Sequence, residues 1–185
     1  RGVRETLAAV VQRARVLMAR HPDQPVDAVG VGVTGPVDVG TGILSNPFTL
    51  QGWPPTNLRN ELANAFEAPC VVDNDANAAA VGEWWLGAGR GAARMTMVTI
   101  GTGIGVATLV DGRIQRTSKG VHGEAGHMVL NPFGPPCYCG GHGCWEVLAS
   151  GTALDRAARA LADDPESRLG EFARDGHPIG GELLF

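Results

Sequence analysis

No run of apolar residues in this chain approaches the roughly 20 needed to cross a bilayer as a helix, and its start has no signal-peptide pattern. A cytoplasmic location, away from any membrane, is expected. Charge is sparse as well. Charged residues make up 18% and the net charge is −4, which withholds the basic field that nucleic acid demands. Arg1, Arg4, Arg13, Arg15 and Arg20 gather near the start, where a solvated helix face explains them better than a phosphate-binding arm. Neither an internal repeat nor a low-complexity segment occurs. With 185 residues, 44% of them hydrophobic, what remains is a soluble globular protein with one sizeable core or two small lobes.

Cysteine is also scarce, and its placement is uneven. Of the 4 cysteines, Cys137, Cys139 and Cys144 follow His127 in the pattern His-x9-Cys-x-Cys-x4-Cys, within the stretch Glu124 to Glu146. One imidazole and three thiolates complete a tetrahedron around zinc and leave no open position, so the expected ion is structural. Gly134, Gly140, Gly141 and Gly143 let the backbone fold tightly around it. His122 and His142 are alternative donors. A disulfide competes with this reading. Cys137 and Cys139 are badly placed to bridge each other, so the partner in such a bridge would be Cys144 or Cys70.

Along the chain, Leu7, Val10, Val11, Ala14, Leu17 and Met18 recur at helical spacing over residues 5 to 19, predicting an amphipathic helix that buries one stripe. Ala28 to Val33 reads as a buried strand whose small residues admit a neighbouring backbone, followed by a turn at Thr34 to Asp38. The segment 46 to 53 looks irregular, and Pro54 to Phe66 runs into a second helix with Leu58, Leu62 and Phe66. This alternation predicts an α/β architecture with a largely covered sheet.

Cys70 to Asp73 then reads as a short strand feeding a helix from about Asn74 to Leu86. Asn74 and Asp75 fall at the handover, the usual place for ligand groups in α/β folds, although the same residue types also serve simply as caps. Two apolar strands, Met95 to Ile100 and Val106 to Val110, flank Gly101-Thr102-Gly103-Ile104-Gly105, and Asp111-Gly112 signals a hairpin turn. Three glycines in five residues offer backbone N–H groups to an anion such as phosphate. Trp145 to Leu161 is helical with a break at Ser150 to Thr152, and a short helix is expected at Leu169 to Ala173.

Four segments occur in this order: Asp73-Asn74-Asp75-Ala76-Asn77-Ala78-Ala79-Ala80-Val81-Gly82-Glu83, then Gly101 to Gly105, then Glu124-Ala125-Gly126-His127, then Cys137 to Glu146. Together they resemble the ROK (repressor, open reading frame, kinase) family over nearly the whole chain. The resemblance implies an actin-like, ribonuclease-H-like two-lobed sugar kinase fold. Residues 1–94 would form part of the N-terminal lobe and 95–185 part of the larger one. It implies ATP with magnesium as well as structural zinc. Asp75 would be the base that takes a proton from a sugar hydroxyl. Asn74, Glu124, His127 and Glu146 would contact the sugar alongside Asp75, and His127 would place its other ring nitrogen on zinc. Gly101, Thr102, Gly103 and Gly105 would hold phosphate.

The family's first phosphate loop and its later adenosine-binding segment find no counterpart, so the chain reads as incomplete at both ends and should hold only part of an ATP site. The expected activity is ATP-dependent phosphorylation of a hexose or N-acetylated amino sugar by a homodimer or homotetramer. The alternatives are the sugar-sensing effector domain of a repressor, with nucleic acid as partner only if a helix-turn-helix lies upstream, and a zinc-stabilised binding module. The intact Asn74-Asp75 pair and glycine turn favour catalysis.

Overall fold

The computed structural model describes residues 2–117 and 124–184. By its contacts the chain divides into two compact units, Arg1–Met95 with Ala107–His122, and Thr96–Val106 with Gly123–Phe185. No helix among the described residues is long and apolar enough to cross a membrane.

The first unit is built on two parallel strands, β1 (Val29–Val33) and β5 (Cys70–Asn74), with Val29 opposite Cys70 and Val33 opposite Asn74. Between them in sequence lie three two-residue strands, β2 (Val37–Asp38), β3 (Ile43–Leu44) and β4 (Thr56–Asn57), paired antiparallel in that order. Helix α2 (Leu58–Phe66) follows. It is capped by Asn57, which accepts from the Asn60 N–H, and closed by left-handed Glu67. Val37, Leu44, Leu58, Leu62, Cys70 and Val72 form the core, with Leu7, Val11, Trp53 and Phe66 packed against it. Helix α3 (Asp75–Leu86) leaves β5 with no intervening loop. Gly32 does sit against a backbone, as a strand of small residues suggests: a Cβ there would lie 3.4 Å from Asp75 Cα.

Two expectations fail here. Helix α1 (Val3–Met18) forms, but none of its residues is buried and Val10, Leu17 and Met18 are exposed. A two-stranded sheet gives it little to lie on, and only Leu7 and Val11 reach the core. For the same reason the sheet is not covered on both faces: along β5, Cys70 and Val72 are buried while Val71 is 68% exposed.

Strands β6 (Arg94–Ile100), β7 (Ile104–Val110) and β8 (Arg113–Ile114) form a second antiparallel sheet in that order. Asp111 and Gly112 both adopt positive φ, 48° and 72°, the primed-turn geometry that an Asp-Gly pair predicts. In the second unit, a single 3-10 turn at Ala125–His127 precedes the cysteine loop. Helices α4 (Trp145–Ala149), α5 (Gly151–Ala162) and α6 (Arg168–Arg174) come after it. The expected break is Ser150, whose Oγ accepts the Ala153 N–H at 3.2 Å to start α5.

Candidate functional site

In the first unit the candidates stand where β5 becomes α3. Asn74 caps the helix: its buried side-chain oxygen accepts from the N–H groups of Ala76 at 2.9 Å and Asn77 at 3.3 Å. Any role toward a ligand therefore falls to its Nδ2. Asp75 is exposed at the first helical position, its Oδ1 accepting the Ala76 N–H at 2.9 Å. Asp73 is the hub. Its Oδ1 accepts from the Asn74 N–H at 2.7 Å, Asn77 Nδ2 at 2.9 Å and Arg116 Nη1 at 3.1 Å, and its Oδ2 pairs with Arg116 Nη2. Desolvation pulls the Asp73 carboxyl upward, but the hydrogen bonds from Arg116, Asn77 and Asn74 outweigh it and hold the pKa below the ordinary carboxylate value. Asn77 is fully buried, and its Oδ1 has no partner among the described residues, a defect that costs about 1–3 kcal/mol.

The second unit assembles the rest. The Gly101–Gly105 turn is docked by its backbone: the Gly151 N–H donates to Gly101 O at 2.8 Å and Thr152 Oγ1 to Thr102 O at 2.8 Å. Within the turn the Gly101 N–H donates to Gly103 O at 3.0 Å. The Ile104 N–H donates to Glu146 Oε2 at 2.8 Å. Two of the amides offered to an anion are thus already engaged. A Cβ at Gly103 would run into the Glu146 carboxylate, which would have to move aside.

Glu124 opens the turn carrying His127. The ring of Tyr138 meets His127 edge-on at 5.0 Å. Burial, then the charge and hydrogen bond of Glu146, then the charge of Glu124 raise the Tyr138 hydroxyl pKa well above its ordinary value. His127, Tyr138, Glu124 and Glu146 therefore share one environment. Tyr138 was not among the expected site residues. Its position between two cysteines is the signal that could have found it.

The expected donors do gather. One ligand atom from each of His127, Cys137, Cys139 and Cys144 lies within 4.8 Å of the others. His127 Nδ1 is 3.4 Å from Cys137 Sγ, and Cys139 Sγ is 3.7 Å from Cys144 Sγ. A tetrahedron with zinc–sulfur bonds of about 2.3 Å has sulfur–sulfur edges of about 3.8 Å, so the donor set fits such an ion. All four cysteines are free, and 3.7 Å far exceeds a bonded S–S distance of about 2.05 Å, so the disulfide alternative does not hold. Cys70 lies in the core of the first unit, His142 stands outside the donor group, and His122 lies outside the described residues.

The loop is pinned by the Gly141 O, which accepts the Cys137 N–H at 2.8 Å, and by the Cys137 O, which accepts the Gly140 N–H at 3.0 Å. Gly143 has φ 59°, and a Cβ there would collide with Asn131 O. Burial pushes the Cys144 thiol up to about 12. Cys139 is lowered, chiefly by the Gly141 N–H.

Comparison with known proteins fits this constellation. A model of the ROK family matches residues 1–177. A glucokinase of Halalkalibacterium halodurans is 37% identical over 156 residues, covering 82% of this chain and 47% of that protein. A xylose repressor of Bacillus spizizenii is 34% identical over 139 residues, covering 74% and 36%. Among solved structures, a ROK family glucokinase from Streptomyces griseus in complex with glucose and AMPPNP superposes with a TM-score of 0.76 at 34% identity, covering 96% of this chain and 58% of that one. The chain spans about half the length of the curated glucokinases it matches. With a family model matched over most of its length and an α/β fold that superposes on solved sugar kinases of the family, the chain belongs to the ROK family.

Proposed function

We propose that this protein transfers the γ-phosphoryl group of ATP, as its magnesium complex, to a hydroxyl of a hexose or N-acetylated amino sugar. The observation that carries the reading is the disposition of Asp73-Asn74-Asp75. The carboxylate of Asp73 and the oxygen of Asn74 are taken up by internal hydrogen bonds, whereas Asp75 is exposed and, among the described residues, its carboxylate is engaged only by the helix N–H beside it. Asp75 acts as the base, accepting the hydroxyl proton as the sugar oxygen attacks the γ-phosphorus and ADP leaves. Asn74, Glu124, His127 and Glu146 read sugar hydroxyls. Residues 1–94 and 95–185 belong to the two lobes of the kinase, and Gly101, Thr102, Gly103 and Gly105 supply this chain's share of the phosphate contacts.

Zinc on His127, Cys137, Cys139 and Cys144 takes no part in the transfer. With Nδ1 of His127 facing the Cys137 sulfur, a bound ion would fix the ring's tautomer and orientation and leave Nε2 to a sugar hydroxyl.

Similarity to xylose repressors favours a second reading, a sugar-sensing effector domain without turnover. Asp75→Asn in the full-length protein separates the two. Under the kinase reading, sugar affinity by calorimetry stays within about tenfold while ATP consumption falls by about 10²–10⁴. Turnover within a few-fold of the parent removes Asp75 from the mechanism. A parent protein that binds sugar and consumes no ATP supports the repressor.

A further inference from the structure

Asp73 has no part in the reaction above, yet it makes more hydrogen bonds than either neighbour. Its carboxylate holds the Asn74 N–H at 2.7 Å and Asn77 Nδ2 at 2.9 Å, so it grips the chain one residue before Asp75 and two residues after it. From the other side the Arg116 guanidinium, just beyond β8, engages both carboxylate oxygens as a planar fork. The two side chains are mostly buried, with exposures of 25% for Arg116 and 28% for Asp73.

Helix α3 needs none of this in order to start. Asn74 caps it alone, through the Ala76 and Asn77 N–H groups. The β1–β5 ladder carries the chain as far as Asn74, opposite Val33. At that last strand residue the Asp73 carboxylate adds a side-chain hold on the Asn74 N–H, where the strand passes into the Asn74-Asp75 pair. A base acts well only when held within about 0.5 Å of its productive place, and a side chain that fixes this backbone therefore acts on the rate.

We propose that Arg116 and Asp73 are a positioning pair for phosphoryl transfer: Arg116 locks the Asp73 carboxylate, and Asp73 fixes the turn that presents Asn74 and Asp75. The inference rests on Asp75 being the base. Asn77 belongs to the same unit, as the second anchor of the carboxylate.

The test compares Arg116→Met, Arg116→Lys, Asp73→Asn and the Arg116→Met/Asp73→Asn double variant with Asp75→Asn in the full-length protein, using steady-state kinetics, sugar calorimetry and thermal melting. Arg116→Met is expected to lower kcat about 10- to 100-fold while the sugar Kd stays within about threefold. Arg116→Lys keeps the charge without the fork and recovers only part of the rate. The double variant is no slower than the worse single one, because the pair acts as a unit. A melting temperature that falls while kcat per folded molecule holds, or kcat and affinity falling together, overturns the proposal and leaves a structural staple. If Arg116→Met does not fold, Arg116→Lys and Asp73→Asn carry the same comparison. If Asp75→Asn turns over like the parent, the base assignment falls and the pair with it. If Asp75→Asn loses turnover and the Arg116 variants do not, the pair falls alone.

Discussion

The β5–α3 turn and the cysteine loop solve opposite problems. At the turn most polar groups are bound by protein: Asn74 caps with its oxygen, Asp73 is paired, and Asp75 stands exposed beside them. In the loop, three sulfurs and an imidazole are brought face to face around a common centre, with Cys137 and Cys144 buried. Hydrogen bonds hold the first arrangement, whereas the second gathers a donor set that fits a cation. Removing metal should therefore undo one region and spare the other.

The largest effect is expected at the loop. Zinc binding in small structural sites is worth about 10–16 kcal/mol, so Cys144→Ser should abolish the single bound zinc and release the loop. Metal analysis together with hydrogen exchange checks both. Amides between Cys137 and Trp145 should lose protection on chelation, while Ala76 and Asn77 in α3 keep theirs. A chelated protein in which both regions loosen equally breaks the comparison. Less than about half an equivalent of zinc in the reduced parent, against the full site expected, removes the ion altogether.

A smaller effect is expected where the hairpin meets α4. Gly103→Ala displaces the Glu146 carboxylate and leaves the Ile104 N–H unpaired. A hydrogen bond to a charged group is worth about 1.5–3 kcal/mol, so sugar affinity by calorimetry should fall by about tenfold or more. Unchanged affinity would detach Glu146 from the sugar.

The smallest effect concerns pH at the turn. The folded pKa of Asp73 lies below its ordinary 3.8, so the stability contributed by its ionised form is fully present above that value and is lost as pH falls through the lower, folded one. The stability gap between the parent and Asp73→Asn, measured by denaturant unfolding, should therefore be constant down to about pH 4 and shrink only below it. A gap that closes at higher pH means that some other group is titrating.

How much of this was legible in the sequence follows the range of the interactions. Local chemistry came through. Asp111-Gly112 makes the predicted turn, Asn74 starts α3, Ser150 divides α4 from α5, and the cysteine spacing picked out the four side chains that gather. Strands β2, β3 and β4 did not, since two residues are too few to show alternation. The exposure of α1 was also hidden, because periodicity says that a stripe wants burial without saying what there is to bury it against. Asn77, four positions after Asp73, carried a readable helical spacing. Arg116, 43 positions from its partner, carried none, and neither did the contact between Glu146 and Ile104 across 42 positions.

That last contact has a consequence for the order in which ligands act. The Glu146 carboxylate is hydrogen-bonded to the glycine turn and stands beside Tyr138, whose ring meets His127. A molecule that draws Glu146 toward itself works against the bond that sets the turn, and an anion that reshapes the turn shifts the carboxylate. Linkage makes the two influences equal: whatever factor occupancy of the turn imposes on binding at Glu146, occupancy at Glu146 imposes on the turn. Under the kinase reading, a sugar at Glu146 and a phosphate at the turn are coupled through Glu146 Oε2, and the sign of that coupling decides whether they assist or oppose each other's binding.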